Sequence, residues 1–210
     1  MDEIVLRGWR GLSLRQWEVD TLGPGKCISD MVLSFQTEVL KEQFASKPCA
    51  FVSPSTVQFI QQFPDDVIRD VVLSMKELRD YKYAFLPLSD IDVYVTHASH
   101  WSLIVMERGD SGIKFKHFDS MNHCNMGSAK RLVDKIVKIM GIQGSEMVAL
   151  QCPTQPNAYD CGVYVMAYMQ ALAECEFDHA KAAAQVTIEN VVKYRKHVRE
   201  YLLDLIRSRA

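Results

Sequence analysis

Residues 155–164 read Gln155-Pro-Asn-Ala-Tyr-Asp-Cys161-Gly-Val-Tyr164, a polar, turn-rich run that leads straight into an apolar one. From Cys161 to Cys175 only Glu174 carries a charge, so this segment is expected to be a helix apolar nearly all round and therefore buried. Cys161 falls at or near its N-terminus, where the macrodipole and unpaired N–H groups stabilise a thiolate. Gly162 removes side-chain bulk beside the sulfur, which would let a substrate backbone approach. A thiolate also needs a proton partner, and that partner needs an orienting acid.

Two strand ends supply candidates. His100 precedes the β-rich run Trp101 to Met106, and Asp119 follows the run Ile113 to Phe118. If the two runs pair as an antiparallel hairpin, His100 and Asp119 come to the same end of the sheet. An Asp holding an imidazole beside a cysteine is a triad seen from its nucleophile. Taken alone, a buried structural role for Cys161 competes with this reading.

Working outward, residues 29–44 are expected to form a helix capped by Ser29 or Asp30, with Met31, Phe35 and Val39 inward. Ser53-Pro54 opens a second helix to Phe63. Pro64-Asp65-Asp66 opens a third that runs to Arg79 with Val67, Val71 and Leu78 inward. Further β-rich runs are Tyr83 to Leu88 and Met147 to Leu150. In the Ile113–Phe118 run, Ile113, Phe115 and His117 alternate with Lys114, Lys116 and Phe118. Helical spacing returns over 128–140, stopped by Gly141, and over 186–206 through Ile188, Val191, Val198, Leu202 and Leu205. Helices, then a strand cluster broken by a helix, then helices favour α+β over a doubly wound sheet.

Composition limits the function classes. The chain has 210 residues, 48% apolar and 24% charged, with a formal charge of −2. That suits one globular domain over 1–210 with a substantial core. No global basic field draws in nucleic acid or anionic lipid. No stretch reads as a membrane span or a secretory h-region, so a cytoplasmic or nuclear location is expected. The six cysteines form no CxxC pair and are expected to stay reduced, most of them as small packing residues. His97 and His100 lie three apart and Cys124 follows His123, but no spacing there matches a known zinc ligand set. The basic run Lys193, Arg195, Lys196 and Arg199 is expected to be a solvated helix face, and His97 and His117 solvent-facing or satisfied groups behind the site.

Three motifs together, THASHWSLIV (96–105), KFKHFDSM (114–121) and QPNAYDCGVYV (155–165), resemble those of the ubiquitin-like-protein proteases, the Ulp and sentrin-specific cysteine proteases. The resemblance spans nearly the whole chain. It implies a papain-like α+β fold, with a central mixed or antiparallel sheet flanked by helices and the nucleophile at the N-terminus of a buried helix. It puts Cys161 on the nucleophile, His100 on the general base and Asp119 on its orienting carboxylate. Gln155 falls on the oxyanion-hole side chain, Trp101 on the aromatic over the channel for the substrate's Gly-Gly tail, and Asp30 on a contact with the modifier's basic C-terminal region. Without the resemblance, Gln155 reads as a loop residue, Trp101 as core and Asp30 as an N-cap. The short length, the start MDEIVL and LRQWEVDTL (14–22) are most similar to the deneddylase type. One departure stands out: the family has Trp three residues before the helix-start Asp, and here Cys27 occupies that place. The implied function is isopeptidase cleavage after the Gly-Gly of a ubiquitin-like modifier, that of neddylation first and SUMO second, acting on conjugates such as cullins. No metal or organic cofactor is implied, and a monomer is expected. A SUMO-specific protease and a non-catalytic module that binds a ubiquitin-like fold are the alternatives.

Overall fold

The computed structural model describes residues 3–90, 100–110 and 112–209. Its centre is a five-stranded sheet of β3 (Cys49–Phe51), β4 (Tyr83–Ser89), β5 (Trp101–Gly109), β6 (Gly112–Phe118) and β7 (Glu146–Leu150), in that spatial order. The outer pairs β3–β4 and β6–β7 are parallel, and the inner pairs β4–β5 and β5–β6 antiparallel, so the sheet is mixed. In the β5–β6 hairpin Leu103 faces Phe118. His100 and Asp119, just beyond the paired runs, therefore emerge at one end of the sheet.

Alternation along the strands builds two cores. Tyr83, Phe85, Leu103, Val105 and Phe118 bury against the side covered by α2 (Asp30–Gln43), α7 (Cys161–Glu174), α8 (His179–Gln185) and α9 (Ile188–Arg207). Ala84, Leu86, Leu88, Ile104, Met106, Ile113 and Phe115 bury against α3 (Pro54–Gln62), α4 (Asp65–Ser74), α5 (Lys76–Arg79) and α6 (Met126–Met140). A strand buried on both faces is a continuous apolar run, which is why β4 has no polar side. α7 is buried along most of its length, as its composition requires.

Two elements escape the apolar periodicity. An N-terminal hairpin of β1 (Ile4–Trp9) and β2 (Leu12–Arg15) turns through Arg10 and Gly11, both at positive φ, and leads into α1 (Gln16–Asp20). β3 is three residues long, too short for any period to register.

The helix starts and stops follow local chemistry. Ser29, not Asp30, is the N-cap of α2: its side chain accepts from the Val32 N–H at 3.2 Å. Ser53 caps α3 with Pro54 in the first turn, and Gly141 ends α6 in the left-handed region at φ 65°.

The segment after Pro64 departs from expectation. It breaks at Met75 into α4 and α5, and Ile68 and Val72 point inward while Val67 and Val71 are 49% and 37% exposed. Val67-Ile68 and Val71-Val72 are adjacent apolar pairs, so spacing permits either face. Packing against α6 and the sheet selects the second. Ile188, expected inward, is likewise exposed, because α9 begins there behind its Thr187 cap, and residues 179–185 form the separate α8.

Candidate active site

His100 and Asp119 meet as the hairpin register dictates. The His100 Nε2–Asp119 Oδ1 distance is 2.6 Å, and both side chains are buried. A carboxylate only accepts, so the proton lies on Nε2 and Nδ1 is left for another partner. The backbone of His100 is pinned on both sides by Asp90, whose carboxylate accepts from His100 N at 3.0 Å and whose N–H donates to His100 O at 3.1 Å. Asp119 accepts in addition from Met121 N at 2.8 Å and Asn125 N at 2.9 Å. Burial alone would raise its carboxyl, but the His100 hydrogen bond and these two N–H groups outweigh it and hold the pKa down at about 2.

Burial by itself would lower the imidazole of His100. The Asp119 hydrogen bond and the adjoining Cys161 thiol reverse that and raise it to about 9. Among the described residues Nδ1 makes no hydrogen bond of normal geometry, and Cys161 adjoins the ring. Cys161 is the first residue of α7, as the sequence implied, and is itself buried.

Behind the pair lies a polar layer. Asn125 Nδ2 donates to His100 O at 3.2 Å and to Ser102 Oγ at 3.1 Å, and Ser102 Oγ shares a 3.0 Å hydrogen bond with His117 Nε2. His117 is thus not solvent-facing. It is fully buried, with Nδ1 unpaired among the described residues, and burial pushes its pKa down to about 4. His97 lies outside the described residues.

The loop before the thiol is held by its own side chains. Gln155 is buried and clamped three ways. Its N–H donates to Ser120 O at 2.9 Å, its Oε1 accepts from Ser120 Oγ at 2.7 Å, and its Nε2 donates to Asn157 O at 2.6 Å. An amide nitrogen carries two hydrogens, so one donor of Gln155 remains. Asn157 Oδ1 accepts from Tyr159 N and Asp160 N, turning the chain into α7.

Trp101 is buried beside Gly162. A Cβ built on Gly162 would stand 3.5 Å from the indole, but only 2.6 Å and 2.7 Å from two carbons of Ile28. The space left by Gly162 is therefore filled by Ile28, not held open for substrate, which corrects the sequence expectation. Ile28 could not come so close to any residue with a side chain there. Its neighbour Cys27 is exposed, with Sγ 3.7 Å from Ala158 O. Partial burial and the nearby Cys161 raise the Cys27 thiol. Asp30 is exposed at the start of α2, with one weak contact from Gln58 Nε2 at 3.4 Å.

Two further expectations change. All six cysteines are unbonded thiols, but Cys124, expected in packing, is exposed. Arg195, assigned to a solvated basic face, is 7% exposed and paired with Asp160 at 2.8 Å, because the inward turn of α9 brings it under the loop before Cys161.

A thiol at a helix N-terminus, an imidazole oriented by a buried carboxylate and a clamped amide donor suit acyl transfer through a covalent intermediate. Residues 26–209 match the Ulp1 protease family, C-terminal catalytic domain. The chain belongs to this family. It is a cysteine protease of papain-like α+β fold. Sentrin-specific protease 8 of Homo sapiens is 30% identical over 179 residues, covering 83% of each chain. NEDD8-specific protease 1 of Arabidopsis thaliana is 26% identical over 218 residues, covering 99% of this chain and 94% of its own. Among solved structures, the C-terminal Ulp1 protease domain in complex with Smt3, the yeast ortholog of SUMO, superposes with a TM-score of 0.71. It covers 98% of this chain and 90% of its own at 16% identity, a likeness of fold.

Proposed function

We propose that this Ulp1-family protease cleaves after the C-terminal Gly-Gly of the neddylation modifier, both maturing its precursor and releasing it from cullin-type conjugates. The observation that carries the chemistry is Cys161 at the start of α7 beside an imidazole whose far nitrogen is 2.6 Å from a buried carboxylate. The choice of modifier is supported by the sentrin-specific protease 8 and NEDD8-specific protease 1 relatives, which align over most of both chains.

In the proposed reaction Cys161 loses its proton to His100 Nδ1, and the sulfur attacks the carbonyl of the last glycine. Charge builds on the carbonyl oxygen. The free Gln155 N–H and the Cys161 backbone N–H stabilise it, each such donor contributing about 3 kcal/mol. His100 returns the proton to the leaving amine, and the C–N bond breaks to leave a thioester on Cys161. Water, deprotonated through His100, then hydrolyses the thioester and frees the modifier. Asp119 holds Nε2 throughout, so the imidazole keeps Nδ1 toward the sulfur.

A Gly-Gly tail has no side chains, so a narrow slot roofed by Trp101 would admit it and exclude bulkier sequences. Asp30, exposed at the start of α2, would pair with a basic residue near the modifier's tail. The protein would act as a monomer in the cytoplasm or nucleus, where a catalytic thiol stays reduced.

The test is a panel of C-terminal vinyl sulfone probes made from the neddylation modifier, SUMO and ubiquitin. The neddylation probe is expected to label the wild type fastest and to leave Cys161→Ala unlabelled. Faster labelling by SUMO would overturn the modifier assignment. Labelling by none would leave a module that binds without cleaving.

A further inference from the structure

We propose that Arg195 is a positioning residue of the protease, one that holds the two chain segments flanking Cys161 at a fixed spacing. A guanidinium has five N–H bonds, and in Arg195 all five are used. Nε and Nη2 donate to Asp160 Oδ1 at 3.0 and 2.8 Å, and Nη2 also donates to Tyr159 O at 3.2 Å. Nη1 donates to Thr21 O at 3.0 Å and to Gly23 O at 3.2 Å. One side chain from α9 thus ties the residue before the nucleophile to a turn some 140 residues earlier in the chain.

Both arms end in the site. On the first, Asp160 Oδ2 accepts from Asn157 Nδ2 at 2.7 Å, and Asn157 O accepts from Gln155 Nε2 at 2.6 Å. The same Asp160 supplies the carbonyl that accepts from Tyr164 N at 2.9 Å and starts α7. Arg195 therefore reaches both the amide donor and the first turn under the thiol. On the second arm, Thr21 Oγ1 accepts from Ser29 N at 3.0 Å, closing the 21–29 loop, and Ile28 of that loop fills the notch at Gly162. The Asp160–Arg195 pair is buried on both sides, where an ion pair adds little stability over an apolar pair but enforces a geometry. Lysine cannot replace this arrangement, because an ammonium has three donors on one point and cannot span Asp160, Tyr159, Thr21 and Gly23.

The inference rests on the proposed peptidase function, and two measurements separate them. Arg195→Lys and Asp160→Asn keep the size of the site; Arg195→Met removes all five donors and serves as the severe case. Turnover of a neddylation-modifier C-terminal amide gives kcat and KM, and the rate of Cys161 alkylation by iodoacetamide across pH reads the thiol–imidazole pair without any modifier. Arg195→Lys is expected to lower kcat by at least about tenfold with KM changed less than about twofold, the pattern of a misaligned reacting group. Its alkylation profile is expected to shift along the pH axis, while its far-UV circular dichroism matches wild type. A Lys variant with wild-type kcat and alkylation profile but a lowered Tm would reduce Arg195 to a structural ion pair and overturn the proposal. If the wild type turns over no modifier amide, the substrate assignment fails, and the alkylation profiles still decide the role of Arg195.

Discussion

Among the described residues two histidines, His100 and His117, are buried near each other, and their environments oppose each other. His100 sits at the entry to β5 against Asp119 and is raised to about 9. His117 sits on β6, its ring bonded to the neutral Ser102 hydroxyl, and burial lowers it to about 4. Both are desolvated. What differs is the partners: the Asp119 carboxylate at 2.6 Å, with Cys161 adjoining, reverses the effect of burial at His100. One region thus favours a protonated imidazole, and the other favours a neutral one bonded to Ser102 behind it.

The largest effects should separate the two sites by activity. His100→Ala is expected to lower kcat by about 10⁴-fold or more, whereas His117→Asn should lower it by less than about tenfold. Comparable losses, measured on the same modifier amide, would break the contrast. Next, Asp119→Ala is expected to cost about 10²- to 10⁴-fold, less than Cys161→Ala, because His100 still reaches the thiol but is poorly oriented. Equal and complete loss in both would undo that division of roles.

Stability should divide the histidines by pH. His100 binds its proton more tightly folded than unfolded, so its contribution is full below about 6.5 and fades as pH rises toward about 9. His117 resists protonation when folded, so its contribution is full above about 6.5 and fades as pH falls toward about 4. Denaturant melts across pH should show His100→Gln flattening the alkaline limb and His117→Gln the acid limb. The reverse assignment, or no change in either limb, would contradict the two environments. The smallest effect belongs to Ser102→Ala. Losing the hydroxyl that joins His117 to Asn125 should cost about 1–3 kcal/mol in chemical denaturation and leave KM near its wild-type value.

The chain made some of this readable before folding. Cys161 at the head of an uncharged helix, and His100 and Asp119 at the ends of two β-rich runs, needed only local patterns and one hairpin. The His100–Asp119 contact follows from the register Leu103↔Phe118. Gln155 had the weaker signal of its spacing to Cys161, and the clamp by Ser120 and Asn157 gives it the rigidity a donor requires. Other residues carried misleading local signals. Arg195 sits in a run of Lys and Arg that reads as a solvated face, and α4 offers two adjacent apolar pairs with no way to choose between them. Asn125, Ser102 and Asp160 are polar residues of common type whose roles exist only through their partners. An acidic residue directly before Cys161 was the one local hint to Asp160.

By itself, then, the sequence determined the helices and strands whose period repeats, the cap at Ser53 and the stop at Gly141, and the order His100, Asp119, Cys161. Those depend on hydrogen bonds and side-chain spacing within a few residues. Tertiary structure alone decided that Ile28 fills the notch at Gly162, that α4 turns Ile68 and Val72 inward, and that Arg195 is buried on Asp160, Thr21 and Gly23. In each case the free energy lies in a contact between distant segments: a missing Cβ matched to a branched side chain, or five donors matched to four acceptor groups. No local period records such a match.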